Sequence, residues 1–294
     1  MAKVENLGKL GVWSWFDHLA MAEAAELVER IESWGYTTLW IPEAVGKEPF
    51  SQIGYFAART STLKFATGIA NIYARDPMNM KSIQKTLADA APGRFALGLG
   101  VSHGHLVEGQ RGHEYSNKPV SMMRDYLERM DKALYVGNQP EQEAPIILAA
   151  LRKNMLKLSV SHAQGSHPYL VPPEHTAKAR EIMGDGALLC PEQMVLRETD
   201  PTKARDLSRA NLKIYLGLPN YCNNLLDLGF SQDDFKDGGS NKLVDAIVAW
   251  GDERVIRDRI QQHWDAGADH VCVQAFRPDG KPGPDEELLK VLTG

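Results

Sequence analysis

The chain has 294 residues, 43% hydrophobic and 24% charged, with a formal net charge of -5. That mild acidity gives no support to a nucleic-acid role. The 43% hydrophobic content suits an ordinary globular core, and no apolar run approaches the roughly 20 residues of a membrane span. The three cysteines, Cys190, Cys222 and Cys272, show no CxxC or Cys/His metal spacing. Their odd, sparse count fits a reducing compartment better than a disulfide framework, so a cytoplasmic protein without a signal peptide is expected.

Short apolar runs alternate with helical stripes along the chain. Leu10–Trp13 reads as a first strand, followed by a helix with Ala24, Leu27, Val28, Ile31 and Trp34 on one face. Gly35 stops that helix, and Thr37–Ile41 forms a second strand ending at Pro42-Glu43. A helical segment spans about 50 to 60, and a third strand covers 65 to 72. Asp76-Pro77 opens the next helix, Asp as the cap and Pro at the first position, where no N–H is needed.

Arg94–Gly100 reads as the fourth strand, followed by a glycine-rich polar loop from Val101 to Pro119. Strand five is Pro145–Ala149, strand six Ser166–Val171 and strand seven Ala187–Leu196. Asp200-Pro201 repeats the Asp-Pro helix start, and 216–241 is an irregular stretch read as an inserted lid or loop. A final helix with Ile256, Ile260 and Trp264 in register precedes the eighth strand, His270–Gln274. Eight strands alternating with helices at about 30-residue spacing predict a (β/α)8 barrel, with inserts after strands four and seven, as one domain over 1–294. A doubly wound parallel sheet is the alternative.

In such barrels the active site lies at the C-terminal strand ends. That places Trp13-Ser14, Glu43, Asn71, Ser102-His103, Ala150-Leu151-Arg152 and His167 around one mouth. Glu43 can act as an acid, a base or a hydrogen-bond partner to a ring. Asn71 offers both a donor and an acceptor. His103, just past Gly98-Leu99-Gly100, can donate a proton near neutral pH. Trp13 can stack on a cofactor or substrate, or pack in the core. Arg152-Lys153 open a helix, where positive charge suits a phosphate.

His103 and His105 form an HxH pair, so a metal-dependent hydrolase stands beside the cofactor reading. No HExxH pattern accompanies the pair, and no metal is expected. Gly98-Leu99-Gly100 lacks the third glycine of a dinucleotide fingerprint, and no GxSxG elbow or P-loop occurs.

At these strand ends the chain resembles the luciferase-like monooxygenase superfamily, closest to its deazaflavin (coenzyme F420)-dependent oxidoreductase branch. The resemblance runs through Gly35-Tyr36, Leu39–Glu43, Thr67–Pro77, Gly93–Gly100 and Asp265–Val271. It implies a tricyclic cofactor ring over the mouth, and a strand-three bulge with a non-prolyl cis peptide at Gly68-Ile69. It further implies cofactor contacts from Glu43, Gly68, Ile69, Ala70, Asn71, Gly100, Val101, Ser102, Ala149, Ala150, Leu151 and Arg152. Proton transfer would fall to His103 or Glu43, and a substrate contact to Trp13. Two departures stand out: Ala44 replaces a histidine that some deazaflavin members carry, and Ala150-Leu151 replaces glycines in the strand-five turn. The implied activity is hydride transfer between coenzyme F420 and a small organic substrate. An FMN-dependent monooxygenase is the alternative on the same barrel, a flavin-binding barrel without catalysis is a further one, and a homodimer is the expected assembly.

Overall fold

The computed structural model describes residues 7–293. From the N-terminus run β1 (Leu10–Trp13), α1 (Met21–Ser33), β2 (Thr38–Ile41), α2 (Pro49–Ala57), β3 (Lys64–Thr67), β4 (Ala70–Asn71), α3 (Pro77–Ala90) and β5 (Phe95–Gly100). Then come α4 (Gly104–Val107), α5 (Pro119–Lys132), β6 (Ile146–Leu148), α6 (Lys153–Ser161), β7 (Gly165–Ser166), α7 (Pro173–Met183), β8 (Leu188–Leu189) and β9 (Glu192–Leu196). The rest is α8 (Pro201–Leu212), α9 (Pro219–Asp227), α10 (Asn241–Ile247), β10 (Val248–Trp250), α11 (Glu253–Asp265), β11 (Val271–Phe276) and α12 (Glu286–Leu292).

All strand pairs are parallel, in the order β10-β9-β11-β1-β2-β3-β5-β6-β7-β8, with β4 also on β5. The path closes on itself because β8 and β9 are two halves of one stave, interrupted at Cys190-Pro191. The first half pairs with β7, the second with β11. Across the junction Cys190 N donates to Ser166 O on one side, and Cys272 N donates to Pro191 O on the other. A ring of eight staves results, with β3 and β4 sharing the third. The ring settles the fold in favour of the (β/α)8 barrel and against an open doubly wound sheet.

Strand alternation sorts the side chains into two cores. Inward residues Trp13, Trp40, Ala66, Ala96, Ile147, Cys190 and Cys272 fill the lumen. Outward residues such as Leu39, Phe65, Leu97 and Val273 meet the helices in a larger shell with Leu27, Ile31, Met80, Leu127 and Ile260. Both Asp-Pro starts act as read: Asp76 accepts from Asn79 N, and Asp200 from Thr202 N and Lys203 N.

Three differences from the sequence reading have physical causes. Strand six is shorter than Ser166–Val171: only Gly165–Ser166 is strand, Pro168 has no N–H to offer a ladder, and Leu170 takes a positive φ of 62°. The 216–241 stretch is not irregular throughout: Pro219 opens α9, whose asparagines disguise a stripe ending in buried Leu225. The helix over 253–265 is not the last, since α12 follows the eighth stave, capped by Asp285. The insert between β9 and α11 packs Leu212, Leu216, Leu225, Leu243 and Val244 onto Met194, Leu196 and Phe276, beside the mouth.

Candidate active site at the barrel mouth

The third stave carries one residue too many. Phe65 and Ala66 pair with Phe95 and Ala96, yet the ladder resumes at Ala70–Leu99 and Asn71–Gly100. Four steps on one strand thus face three on the other, which is a β-bulge over Thr67–Ile69. The Gly68-Ile69 peptide within it is cis, as the resemblance implied. Thr67 replaces the missing ladder contacts: its Oγ1 accepts from Gly98 N at 2.9 Å and donates to Gly98 O at 2.7 Å. The Gly68 carbonyl accepts from Trp13 Nε1 at 2.9 Å, and the Ile69 carbonyl from Glu43 N at 3.2 Å.

The glycines here make room. A Cβ at Gly98 would sit 1.7 Å from the Thr67 carbonyl oxygen, and one at Gly100 would lie 2.4 Å from Ile69 Cδ1.

Glu43 is held by its neighbours. Its carboxylate accepts from Asn71 N at 2.7 Å and from Arg75 Nη1 at 2.9 and 3.0 Å. Arg75 also reaches Glu48 at 2.6 Å, and its guanidinium lies 4.7 Å over the Phe50 ring. The Glu43 and Arg75 side chains are only 8% and 12% exposed, so their charges meet little solvent screening. Asn71 is buried, and its Oδ1 accepts from Tyr73 N at 2.9 Å. Glu43 and Asn71 thus brace the strand-three end, where Gly68 and Ile69 are half-buried.

Ser102 has φ of 57°, which turns the chain after β5 into the polar loop. Tyr115 Oη donates to Ser102 O at 3.3 Å, and the Tyr73 and Tyr115 rings stack 5.8 Å apart. His103 is half-buried between His105, at 6.1 Å, and Tyr221 of the insert, at 5.4 Å. Burial, then the neighbouring His105, push the His103 pKa down to about 4. A neutral imidazole results near neutral pH. His105 and His113 are exposed, and among the described residues no group of three His, Cys, Asp or Glu side chains converges.

At the fifth strand end Ala149 N donates to Leu99 O, and Ala150 and Leu151 are buried. His175 Nε2 lies 2.6 Å from Leu151 O. Arg152 caps α6 without a side-chain hydrogen bond, and Arg152 and Lys153 are exposed. Arg152 and Lys153 thus set two positive charges at the N-terminus of that helix.

The opposite wall holds residues that sequence reasoning missed. Trp13 lies 5.3 Å from Tyr169, which lies 5.3 Å from Tyr215 and 6.1 Å from Tyr221. The Tyr169 hydroxyl is 2.8 Å from Tyr215 Oη and 2.8 Å from Gln274 Oε1. Below, Trp40 stacks on His167 at 4.3 Å, and Trp40 Nε1 donates to His270 Nε2 at 3.0 Å. Glu192, only 1% exposed, occupies the lumen beside its register partner Cys272. It accepts a 3.4 Å hydrogen bond from Leu170 N, while Oε1 has no partner among the described residues. Burial pushes its pKa up to about 8. One signal was available: Glu192 is the single charged residue within the strand Ala187–Leu196.

Comparisons place this geometry in context. Among curated relatives, a Mycobacterium tuberculosis protein provisionally named a coenzyme F420-dependent oxidoreductase is 32% identical over 104 residues, which are 35% of this chain. That match spans about a third of the relative's length (30%). A solved F420-dependent secondary alcohol dehydrogenase, in complex with an F420-acetone adduct, superposes with a TM-score of 0.76 at 13% identity, over 97% of each chain. A type II Baeyer-Villiger monooxygenase component from Pseudomonas putida, in complex with FMN, superposes with a TM-score of 0.70 at 14% identity, over 97% of this chain and 96% of that one. At such identities these likenesses speak to the fold. The luciferase-like monooxygenase family profile matches residues 9–188, more than half of the chain. With the ring of eight staves and the bulged third strand, that match makes the chain a member of the luciferase-like monooxygenase family.

Proposed function

We propose that this protein is an oxidoreductase that binds coenzyme F420 at the barrel mouth and transfers a hydride between it and a small organic substrate. The observation that carries the reading is the bulge beside Gly100. There Gly68 and Ile69 stay half-exposed on a braced strand end and offer a flat backbone ledge for a planar ring. The F420-named relative and the alcohol dehydrogenase neighbour favour a deazaflavin.

The residues fit a flat, phosphate-bearing group. Gly68–Asn71 and Gly100–Ser102 would border the ring. Ala149–Arg152 and Lys153 would take the phosphate, where α6 lacks a side-chain cap. Trp13 and His103 would face the substrate. The bound cofactor supplies the hydride chemistry, and the protein supplies orientation and proton handling. His103, neutral near pH 7, serves as a hydrogen-bond partner to substrate. Glu43 acts through Asn71 and Arg75, by holding the ledge.

The FMN-complexed neighbour supports a second reading, an FMN-dependent monooxygenase on the same mouth. Parallel titrations with coenzyme F420, FMN and NADPH decide between them. Micromolar binding of the deazaflavin without FMN binding is the expected result. Protein that purifies yellow with tightly held FMN overturns it in favour of the monooxygenase.

A further inference from the structure

The wall opposite the ledge is a belt of aromatic rings whose hydrogen bonds are nearly all made within it. His103 of the strand-four loop lies 5.4 Å from Tyr221, and Tyr221 lies 5.5 Å from Tyr215 and 6.1 Å from Tyr169. Tyr169 lies 5.3 Å from Trp13, whose one N–H goes to the Gly68 carbonyl. The Tyr169 hydroxyl touches both Tyr215 Oη and Gln274 Oε1, and it has one proton. Gln274 Oε1 can only accept, so Tyr169 donates to it and accepts from Tyr215. Trp13, Tyr169 and Tyr215 therefore have no donor left for a ligand.

Tyr221 differs. Its hydroxyl has no hydrogen-bond partner among the described residues, and the ring is half-buried rather than sealed in the core. Its oxygen is not among the fully buried orphans, unlike Glu192 Oε1 and His167 Nε2, so a ligand can reach it. The His103 imidazole beside it makes no hydrogen bond among the described residues either. Tyr221 reaches this place through α9. Pro219 opens that helix, and Leu225, one turn after Tyr221, is buried in the core of the insert. The two share a helix face, so packing Leu225 also turns Tyr221 inward. The insert follows the seventh stave, yet Tyr221 meets the loop after the fourth.

The belt is also free of charge. Burial holds the Tyr221 phenol above its ordinary pKa, so it remains a donor, and burial keeps His103 neutral near pH 7. The nearest charges of the ledge, Glu43 and Arg75, pair with each other.

We propose that Tyr221 selects and holds the substrate: its hydroxyl donates to the acceptor oxygen or nitrogen of an uncharged carbonyl or imine, whose apolar, ring-bearing remainder lies against Trp13, Tyr169 and Tyr215. The inference deepens the hydride-transfer reading above and rests on it for the reacting group. A planar apolar body gains from contact with the three rings. A carboxylate or phosphate on that body would lose its water to a wall with no cation to replace it. Tyr221 makes the one polar contact the belt has left to give.

The test has two arms. In the cofactor-free protein, calorimetric or ligand-observed NMR titrations compare acetophenone with ethylbenzene, which lacks the acceptor, and with 4-acetylbenzoate, which adds a charge. Acetophenone should bind about ten-fold more tightly than either, the worth of one hydrogen bond. In Tyr221→Phe the ketone should fall to the level of the hydrocarbon, while ethylbenzene binds as before. A merely structural role for Tyr221 would weaken both alike. Equal losses, no loss, absence of acetophenone binding to the wild-type protein, or 4-acetylbenzoate binding as well as acetophenone each overturns the proposal. In the second arm the protein is loaded with reduced F420. Tyr221→Phe should raise KM for acetophenone about ten-fold and leave F420 affinity unchanged; an unchanged KM overturns the proposal. Failure of the wild-type protein to bind F420 sinks the function proposed above and leaves the first arm to decide this one. Thermal melts check that Tyr221→Phe, which loses no internal hydrogen bond, keeps the fold.

Discussion

The indole N–H of Trp13 donates to the carbonyl oxygen of Gly68 at 2.9 Å, which ties the end of the first stave to the bulge of the third. The two residues are 55 positions apart, and the second stave lies between them in the ring. Gly68 tolerates this approach because a Cβ there would meet Trp13 Nε1 at 2.8 Å.

Trp13→Phe keeps an aromatic ring against Tyr169 and removes only the donor. The expected loss is about 1 kcal/mol of stability in urea titrations, the ordinary worth of one such bond. Cofactor affinity should fall several-fold as the ledge loosens. Unchanged affinity would show that the ledge does not depend on Trp13.

Gly98→Ala and Gly100→Ala should separate folding from binding. At position 98 the new methyl meets a backbone carbonyl at 1.7 Å, and a backbone within a closed barrel cannot move aside. That variant should fail to accumulate as folded protein. At position 100 the nearest atom is the tip of the Ile69 side chain, which can rotate. Circular dichroism should show a folded Gly100→Ala variant, with cofactor binding weakened because Ile69 is pushed across the ledge.

Arg75→Met would leave the Glu43 carboxylate, whose side chain is 8% exposed, with only the Asn71 N–H and the more distant Arg111 guanidinium at 3.8 Å. Removal of one partner from such a pair costs about 3–5 kcal/mol. Glu43→Gln on the same background should recover part of that, because an amide tolerates burial better than a lone charge. A double-mutant cycle by chemical denaturation measures the coupling. Additive losses would mean that the pair stabilises nothing.

Stability should peak slightly below neutrality. Burial pushes His103, His167, His175 and His270 down to about 4 and His263 to about 3, from an ordinary 6.5. The unfolded chain then binds more protons, so stability is lost as pH falls below 6.5 and on through 4. Glu192 runs the other way. Its raised pKa gives a contribution fully present below the ordinary 4.5 and lost as pH rises to about 8. Where the windows overlap, five histidines outweigh one carboxyl. Melting temperatures from pH 4 to 9 should trace a dome, and Glu192→Gln should flatten its alkaline side alone. An alkaline decline that survives in that variant would assign it to another group.

The fold was legible because its signals are local and repeated. Apolar runs, Asp-Pro caps at Asp76 and Asp200, and glycine stops recur at the spacing of one β/α unit. The strand ends pointed to the mouth, and the bulge was anticipated only through the family resemblance over Thr67–Pro77. Roles were less legible than places. Glu43 read as an acid, a base or a hydrogen-bond partner to a ring, because its ion-pair partner Arg75 lies 32 residues on, outside any strand end. Tyr215 and Tyr221 sit in an insert whose helical stripe is masked by asparagines, and only tertiary packing brings them to Tyr169. Glu192 was passed over because the seventh strand was placed as a whole, with no residue of it singled out for the mouth.

The extra residue in the third stave works like a frameshift. Before it, Phe65 faces the helices and Ala66 the lumen; after it, Ala70 and Ile72 face the helices. The lumen-side register therefore passes to Asn71, opposite Gly100. Deletion of a single residue from Thr67–Ile69 would make the two strands equal in length between Ala66 and Ala70, so Asn71 would keep its place opposite Gly100 while the ledge itself disappeared.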